Sequence, residues 1–143
     1  MIVGIIGGSS CDKKTGELAE KIGSEIAKRN HILICGGLGG VMESACRGAK
    51  ISGGITVGIL PGKIKEEANK YVDIPILTAM NHARNAIIVR TADIVIAVGG
   101  RYGTLSEIGL AKAIGKKVIG IKTWDIRGII KAGTIEDIVK HLE

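Results

Sequence analysis

The residues of this chain best suited to chemistry lie in the stretch VGGRYGTLSE, from Val98 to Glu107. The apolar run ADIVIAV precedes it, which is typical of a parallel strand buried on both faces. The residues LSEIGLAKAIG follow, and their apolar spacing predicts a helix that ends at Gly115. Because the first backbone N–H groups of a helix are unpaired and carry partial positive charge, the start of this helix is a predicted phosphate site.

Five residues of this turn are predicted to contact the phosphate: Gly99, Gly100, Arg101, Gly103 and Thr104. Glycine lets a ligand approach the backbone closely. Arg101 has more than one interpretation, because its guanidinium could pair with a phosphate, crowd the ligand, or simply lie in solvent.

Two further glycine-rich turns, GGSS and GGLGG, follow the first two predicted strands. A lone double glycine is more often a tight turn than a site, but three such turns at matching strand ends favour a ligand site. Their predicted ligand-binding residues are Gly7, Gly8, Ser9, Gly36, Gly37, Gly39 and Gly40. The spacing matches neither the dinucleotide fingerprint nor the P-loop, so NAD binding and ATP hydrolysis are not predicted.

Glu107 is the most attractive catalytic candidate, and Arg84 is a second candidate functional residue. Glu107 has a structural alternative, because TLSE from Thr104 is also a capping-box pattern. Arg84 lies near the start of a helix predicted over Asn81 to Asp93, where a cation opposes the helix dipole unless an anion meets it. An exposed surface arginine is the structural alternative.

Short apolar runs alternate with helical patterns along the chain, which predicts an α/β fold. We expect a doubly wound, mostly parallel sheet of about six strands, with helices on both faces and a ligand crevice at its carboxyl edge. The strand order expected is 3-2-1-4-5-6. The predicted strands are Ile2 to Ile6, Ile32 to Cys35, Ile55 to Leu60, Ile74 to Leu77, Asp93 to Val98 and Lys117 to Ile121, and the first and last helices are Gly16 to Lys28 and Thr134 to Leu142.

Composition narrows the class of protein. A chain of 143 residues with 45% apolar content predicts a single domain over residues 1–143. Neither a membrane span nor a signal peptide is indicated, so we expect a cytoplasmic protein without a membrane partner.

Three cysteines without CxxC spacing or a histidine cluster argue against disulfides and against a metal site. The net charge of +6 is spread along the chain, and three aromatic residues are too few for a stacking platform, so nucleic acid is not an expected partner.

Several segments, in order, resemble the family misnamed lysine decarboxylases. They are CGGLGGVMESACRGA, GGITVGILPG, NHARNAIIVRTADIVIAVGG and GGRYGTLSEIGLAKAIGKKVIGI, and together they cover nearly the whole chain. The resemblance implies a Rossmann-like fold. The family includes the lonely-guy enzymes, which are nucleoside 5′-monophosphate phosphoribohydrolases, and a molybdenum-cofactor carrier-like branch; lysine decarboxylase activity is not expected.

The resemblance also implies residue roles. The enzymes' catalytic arginine and glutamate correspond to Arg84 and Glu107, and their phosphate-binding residues to Gly100, Gly103 and Thr104. The chain departs from the enzyme pattern at Asn85, Gly99, Arg101 and Ser106, and these departures resemble the carrier-like branch.

The first hypothesis is therefore binding of a nucleotide or a phosphorylated pterin such as the molybdenum cofactor. The alternative is a phosphoribohydrolase that needs no cofactor for catalysis, and single-stranded DNA binding is the third. The resemblance further implies a homo-oligomer, a dimer or larger.

Overall fold

Seven strands form one sheet, and every neighbouring pair in it is parallel. The computed structural model describes all 143 residues. The strands are β1 Ile2–Gly7, β2 Ile32–Cys35, β3 Ile55–Leu60, β4 Ile74–Leu77, β5 Ile94–Val98, β6 Lys117–Ile121 and β7 Ile130–Lys131. The fold class predicted from the sequence is confirmed, with β7 as an additional two-residue edge strand.

Five helices connect the strands. They are α1 Lys13–Lys28, α2 Val41–Ile51, α3 Asn85–Thr91, α4 Tyr102–Ala113 and α5 Ile135–Val139, with 3-10 turns at Lys65–Glu67 and Asn81–Arg84. Gly115 has a φ of +73° just beyond α4, as predicted for the residue that ends that helix. None of the helices is long and apolar enough to cross a membrane.

The predicted strand order is wrong at one place. The sheet runs β4-β3-β2-β1-β5-β6-β7, so the fourth strand lies outside the third instead of beside the first. Three of the four β4 residues are exposed, and the strand contains Pro75, which cannot donate a hydrogen bond to a ladder. β5 is an uninterrupted apolar run, as suits a central strand, and all five of its residues are buried there.

The helices cover the two faces of the sheet separately. Residues of α1, α2 and α5 pack in one apolar core, and residues of α3 and α4 pack in a second core on the other face. The chain leaves β1 toward β2 and leaves β5 toward β6, so the connections diverge between the adjacent strands β1 and β5. This switch point is where a doubly wound sheet opens a crevice at its carboxyl edge.

Candidate functional site

A cavity of about 510 Å³ opens at the switch point. Its lining includes ten of the fourteen residues predicted as site residues: Gly7, Gly8, Ser9, Arg84, Gly99, Gly100, Arg101, Gly103, Thr104 and Glu107. Eleven more lining residues were not predicted: Ile5, Ile6, Ser10, Cys11, Asp12, Thr15, Leu38, Val41, Met42, His82 and Asn85.

The N-terminus of α4 borders this cavity without a side-chain cap. The helix begins at Tyr102, and its N-cap residue Arg101 makes no side-chain capping bond. The predicted capping box of Thr104 and Glu107 is therefore wrong, because both residues lie inside the helix and not at its cap. The first backbone N–H groups of α4 thus remain available to an anion in the cavity.

The turn before α4 is compact. Gly99 and Gly100 have φ values of +58° and +94°, which favour glycine. A Cβ on Gly100 would lie 2.1 Å from the Thr104 Oγ1 atom, so only glycine lets the turn fold down onto this buried threonine. A Cβ on Gly103 would meet nothing within 4 Å.

Two residues after β6 hold this turn in place. The Thr123 hydroxyl donates to the Gly99 carbonyl at 2.5 Å, and the Trp124 indole N–H donates to the Arg101 carbonyl at 2.9 Å. No local pattern predicts this role, since the two residues lie 24 and 23 positions beyond the residues that they bind. The Arg101 side chain itself is exposed at the cavity.

Arg84 is buried at the cavity wall, so the exposed-surface alternative is wrong. The residue is 7% exposed, its Nε has no hydrogen-bond partner, and its Nη1 donates to Asn85 Oδ1. Burial lowers the pKa of Arg84, against the attraction of Glu107. Buried and incompletely paired, the guanidinium is suited to a ligand that supplies an acceptor.

Glu107 is equally buried, at 7% exposure. Burial raises the pKa of its carboxyl to about 7, and the nearby positive charge of Arg84 opposes that rise. The two residues influence each other electrostatically without forming an ion pair. Near neutral pH both protonation states of Glu107 are therefore populated, a property useful to a general acid or base.

The glycines of the GGLGG turn do not line the cavity; their hydrogens face other parts of the protein. A Cβ on Gly36 would lie 2.7 Å from Arg84 Nη2, and one on Gly40 would lie 2.3 Å from the Gly8 carbonyl oxygen. Gly37 packs in the same way against Leu60, and Gly39 against the Ser9 carbonyl. These glycines make room for Arg84 and for the GGSS turn, while Leu38 lines the cavity.

The start of α1 forms another wall, and it is already capped. Asp12 Oδ1 accepts from the backbone N–H of Thr15 at 2.8 Å, and Cys11 precedes it as an exposed thiol. Desolvation, followed by the charge of Asp12, raises the pKa of Cys11, which does not favour a thiolate nucleophile. Cys35 and Cys46 are fully buried core residues.

The chain contains no group of three or more His, Cys, Asp or Glu side chains that could hold a metal ion. The donors that border the cavity instead include backbone N–H groups, hydroxyls and the guanidinium groups of Arg84 and Arg101. These groups fit the phosphate and the polar edge of an organic ligand.

The sequence of this chain is similar to one protein family and to several known proteins. The model of the SLOG cluster4 family matches residues 1–141. An uncharacterised protein of Archaeoglobus fulgidus is 51% identical over 122 residues, covering 85% of this chain and 80% of that protein. A probable cytokinin riboside 5′-monophosphate phosphoribohydrolase of Oryza sativa is 30% identical over 106 residues, covering 71% of this chain and 47% of the rice protein. The chain thus matches about half the length of that enzyme.

Solved structures of two molybdenum-cofactor proteins are similar to this chain over nearly its whole length. The molybdenum cofactor binding protein of Rippkaea orientalis superposes with a TM-score of 0.93 at 34% identity, covering 99% of this chain and 94% of that one. The molybdenum cofactor carrier protein of Chlamydomonas reinhardtii has a TM-score of 0.87 at 30% identity, with the same coverage.

Proposed function

This chain belongs to the SLOG cluster4 family, and from that premise we propose that it binds a nucleotide or nucleotide-like phosphorylated ligand at the carboxyl edge of its sheet. The ligand classes are a nucleoside 5′-monophosphate and a phosphorylated pterin such as the molybdenum cofactor. The observation that carries the proposal is the uncapped start of α4 at the switch-point cavity.

In this proposal the phosphate accepts from the first N–H groups of α4, beside Gly100, Gly103 and Thr104. The remaining predicted residues shape the pocket, and the incompletely paired guanidinium of Arg84, which lines the cavity, would meet a second acceptor on the ligand. A molybdenum cofactor would be held through its phosphate and its ring, because the chain has no cluster of metal-ligating side chains.

The proposal is tested by incubating the purified protein with a panel of nucleoside monophosphates and measuring retained ligand by native mass spectrometry. Gly100→Ala should abolish retention, because the new Cβ would collide with Thr104 and the backbone φ of +94° is strained for alanine. Gly109→Ala on the same helix is the control, since a Cβ there meets nothing within 4 Å. Equal retention by both variants would contradict the proposed phosphate position.

The alternative function is hydrolysis of the N-glycosidic bond of a nucleoside 5′-monophosphate. It is favoured by one observation: the buried Glu107, with a pKa of about 7, shares the cavity with Arg84. Water would add to C1′ of the ribose as its bond to the base breaks, giving free base and ribose 5-phosphate. The Glu107 carboxylate would stabilise the positive charge that develops on the ribose or position the water, and Arg84 would orient Glu107 or the substrate.

The same panel separates the two functions. Base release that Glu107→Gln abolishes supports hydrolysis, whereas a retained ligand without base release supports binding alone.

We also propose that the protein is a homo-oligomer, a dimer or larger. The support from the structure is the open edge of β4, where Ile74, Ile76 and Leu77 are each nearly half exposed.

A further inference from the structure

We infer that the apolar wall of the cavity, formed by Leu38, Val41 and Met42, receives the planar ring of the ligand, and that Asn69 is the residue that positions Leu38. The inference rests on the proposed function, which puts the phosphate at the start of α4. The apolar wall is then the part of the site that determines which ring is accepted.

The wall and the phosphate position border the cavity from opposite sides of β1. Leu38 lies in the turn after β2, and Val41 and Met42 are the first two residues of α2. β2 neighbours β1 on one side, while β5, which leads to α4, neighbours it on the other. A nucleotide has its phosphate at one end and a flat, largely apolar ring at the other. A ligand held by its phosphate at α4 and lying across β1 therefore brings its ring to this wall.

The three wall residues differ in how much of their surface is exposed. Val41 and Met42 are 1% and 6% exposed and belong to the apolar core. Leu38 is only half buried, although it carries the one side chain larger than hydrogen in the GGLGG turn. Its apolar surface faces the cavity and would be covered by a bound ring, which favours binding in proportion to the area removed from water.

Asn69 fixes the turn that presents Leu38. Its backbone N–H donates to the Gly37 carbonyl at 2.8 Å, and its Nδ2 donates to the Leu38 carbonyl at 2.8 Å. Its Oδ1 accepts from the Tyr71 N–H at 3.0 Å, which ties the turn to the connection between β3 and β4. Because both the Nδ2 and the Oδ1 atoms of Asn69 make hydrogen bonds, the side chain holds the turn in one conformation.

The test compares two ligands that differ only in the ring, adenosine 5′-monophosphate and ribose 5-phosphate, by isothermal titration calorimetry. Leu38→Ala should weaken binding of the nucleotide about fivefold and leave ribose 5-phosphate unchanged. Leu38→Gln keeps the side-chain size, and it should show the same selective loss. Leu110→Ala is the matched control, because Leu110 is exposed on α4 and does not line the cavity.

Asn69→Asp removes the Nδ2 donor and keeps the other two hydrogen bonds. It should reduce the preference for the nucleotide without changing the affinity for ribose 5-phosphate, which a merely structural role would not do. If the Leu38 variants weaken both ligands equally, or neither, the ring lies elsewhere and the inference is wrong. If the wild-type protein binds neither compound, the proposal that the ligand is a nucleoside 5′-monophosphate fails, and the inference falls with it.

Discussion

Arg84 and Glu107 are each 7% exposed, and no ion pair joins them. Each therefore carries an uncompensated cost of burial, which a ligand that bonds to either group would reduce. Buried charged groups without a matching partner are common at functional sites and uncommon in a core that serves only stability.

The raised pKa of Glu107 predicts a pH-dependent stability. Its carboxyl is protonated in both states below its ordinary pKa of 4.5, and from there to about pH 7 only the unfolded state loses the proton. The free energy of unfolding should therefore fall across this range, by about 3 kcal/mol in total, and stay lowered above it. Glu107→Gln should be more stable than the wild type by about this amount at pH 8 and equal to it at pH 4.

Urea denaturation at the two pH values measures this difference. Glu17→Gln, on the exposed face of α1, is the control and should change the stability at neither pH. A Glu107→Gln difference that does not grow with pH would show that this carboxyl has an ordinary pKa.

Among the helices, TLSE and TIED both match the capping-box pattern, and only TIED forms the box. In TIED, Thr134 accepts from the Asp137 N–H and the Asp137 carboxylate accepts in return from the Thr134 N–H. Thr134→Ala should lower the free energy of unfolding by about 1 kcal/mol, and Thr134→Ser by much less. Thermal unfolding measures both, and equal losses would contradict a hydrogen-bonded cap.

The other tetrapeptide, TLSE, shows where sequence patterns stop being sufficient. The pattern correctly predicts a helix with a carboxylate in its first turns. However, α4 begins at Tyr102, two residues before Thr104, the expected cap. The Gly99–Arg101 turn that precedes the helix is held by hydrogen bonds from Thr123 and Trp124, which are distant in sequence. Local sequence does not contain that information.

The strands were predictable because their apolar runs are short and well separated. Four of the six predicted ranges match the structure residue for residue, and the other two differ by one residue at one end. Their order was not predictable from the pattern of alternation, although Pro75 marked β4 as an edge strand. The GGLGG turn shows the same limit at the site: the spacing located the turn correctly, but only packing shows that its glycines face Arg84 and Gly8 while Leu38 faces the cavity.

At the scale of the whole molecule, the open β4 edge leads to a prediction about assembly. Ile76 lies on this edge and is 43% exposed. We expect the wild-type protein to sediment as a dimer or larger, and Ile76→Lys to sediment as a monomer, because a charge on an edge strand opposes pairing. Ile51→Lys is the control, because Ile51 is 73% exposed at the end of α2 and lies away from the β4 edge. A monomeric wild type, or an assembly that Ile76→Lys leaves intact, would contradict the proposed interface.

If the cavity at the switch point recognises its ligand by a phosphate at the uncapped start of α4, removing the phosphate should weaken binding. Calorimetric titration of the wild-type protein with a nucleoside 5′-monophosphate, and with the same nucleoside lacking the phosphate, measures this effect. We predict that the nucleotide binds at least about tenfold more tightly, which corresponds to about 1.4 kcal/mol from the phosphate contacts. Equal affinity for the two compounds would show that the start of α4 does not recognise the phosphate and would overturn the proposed site.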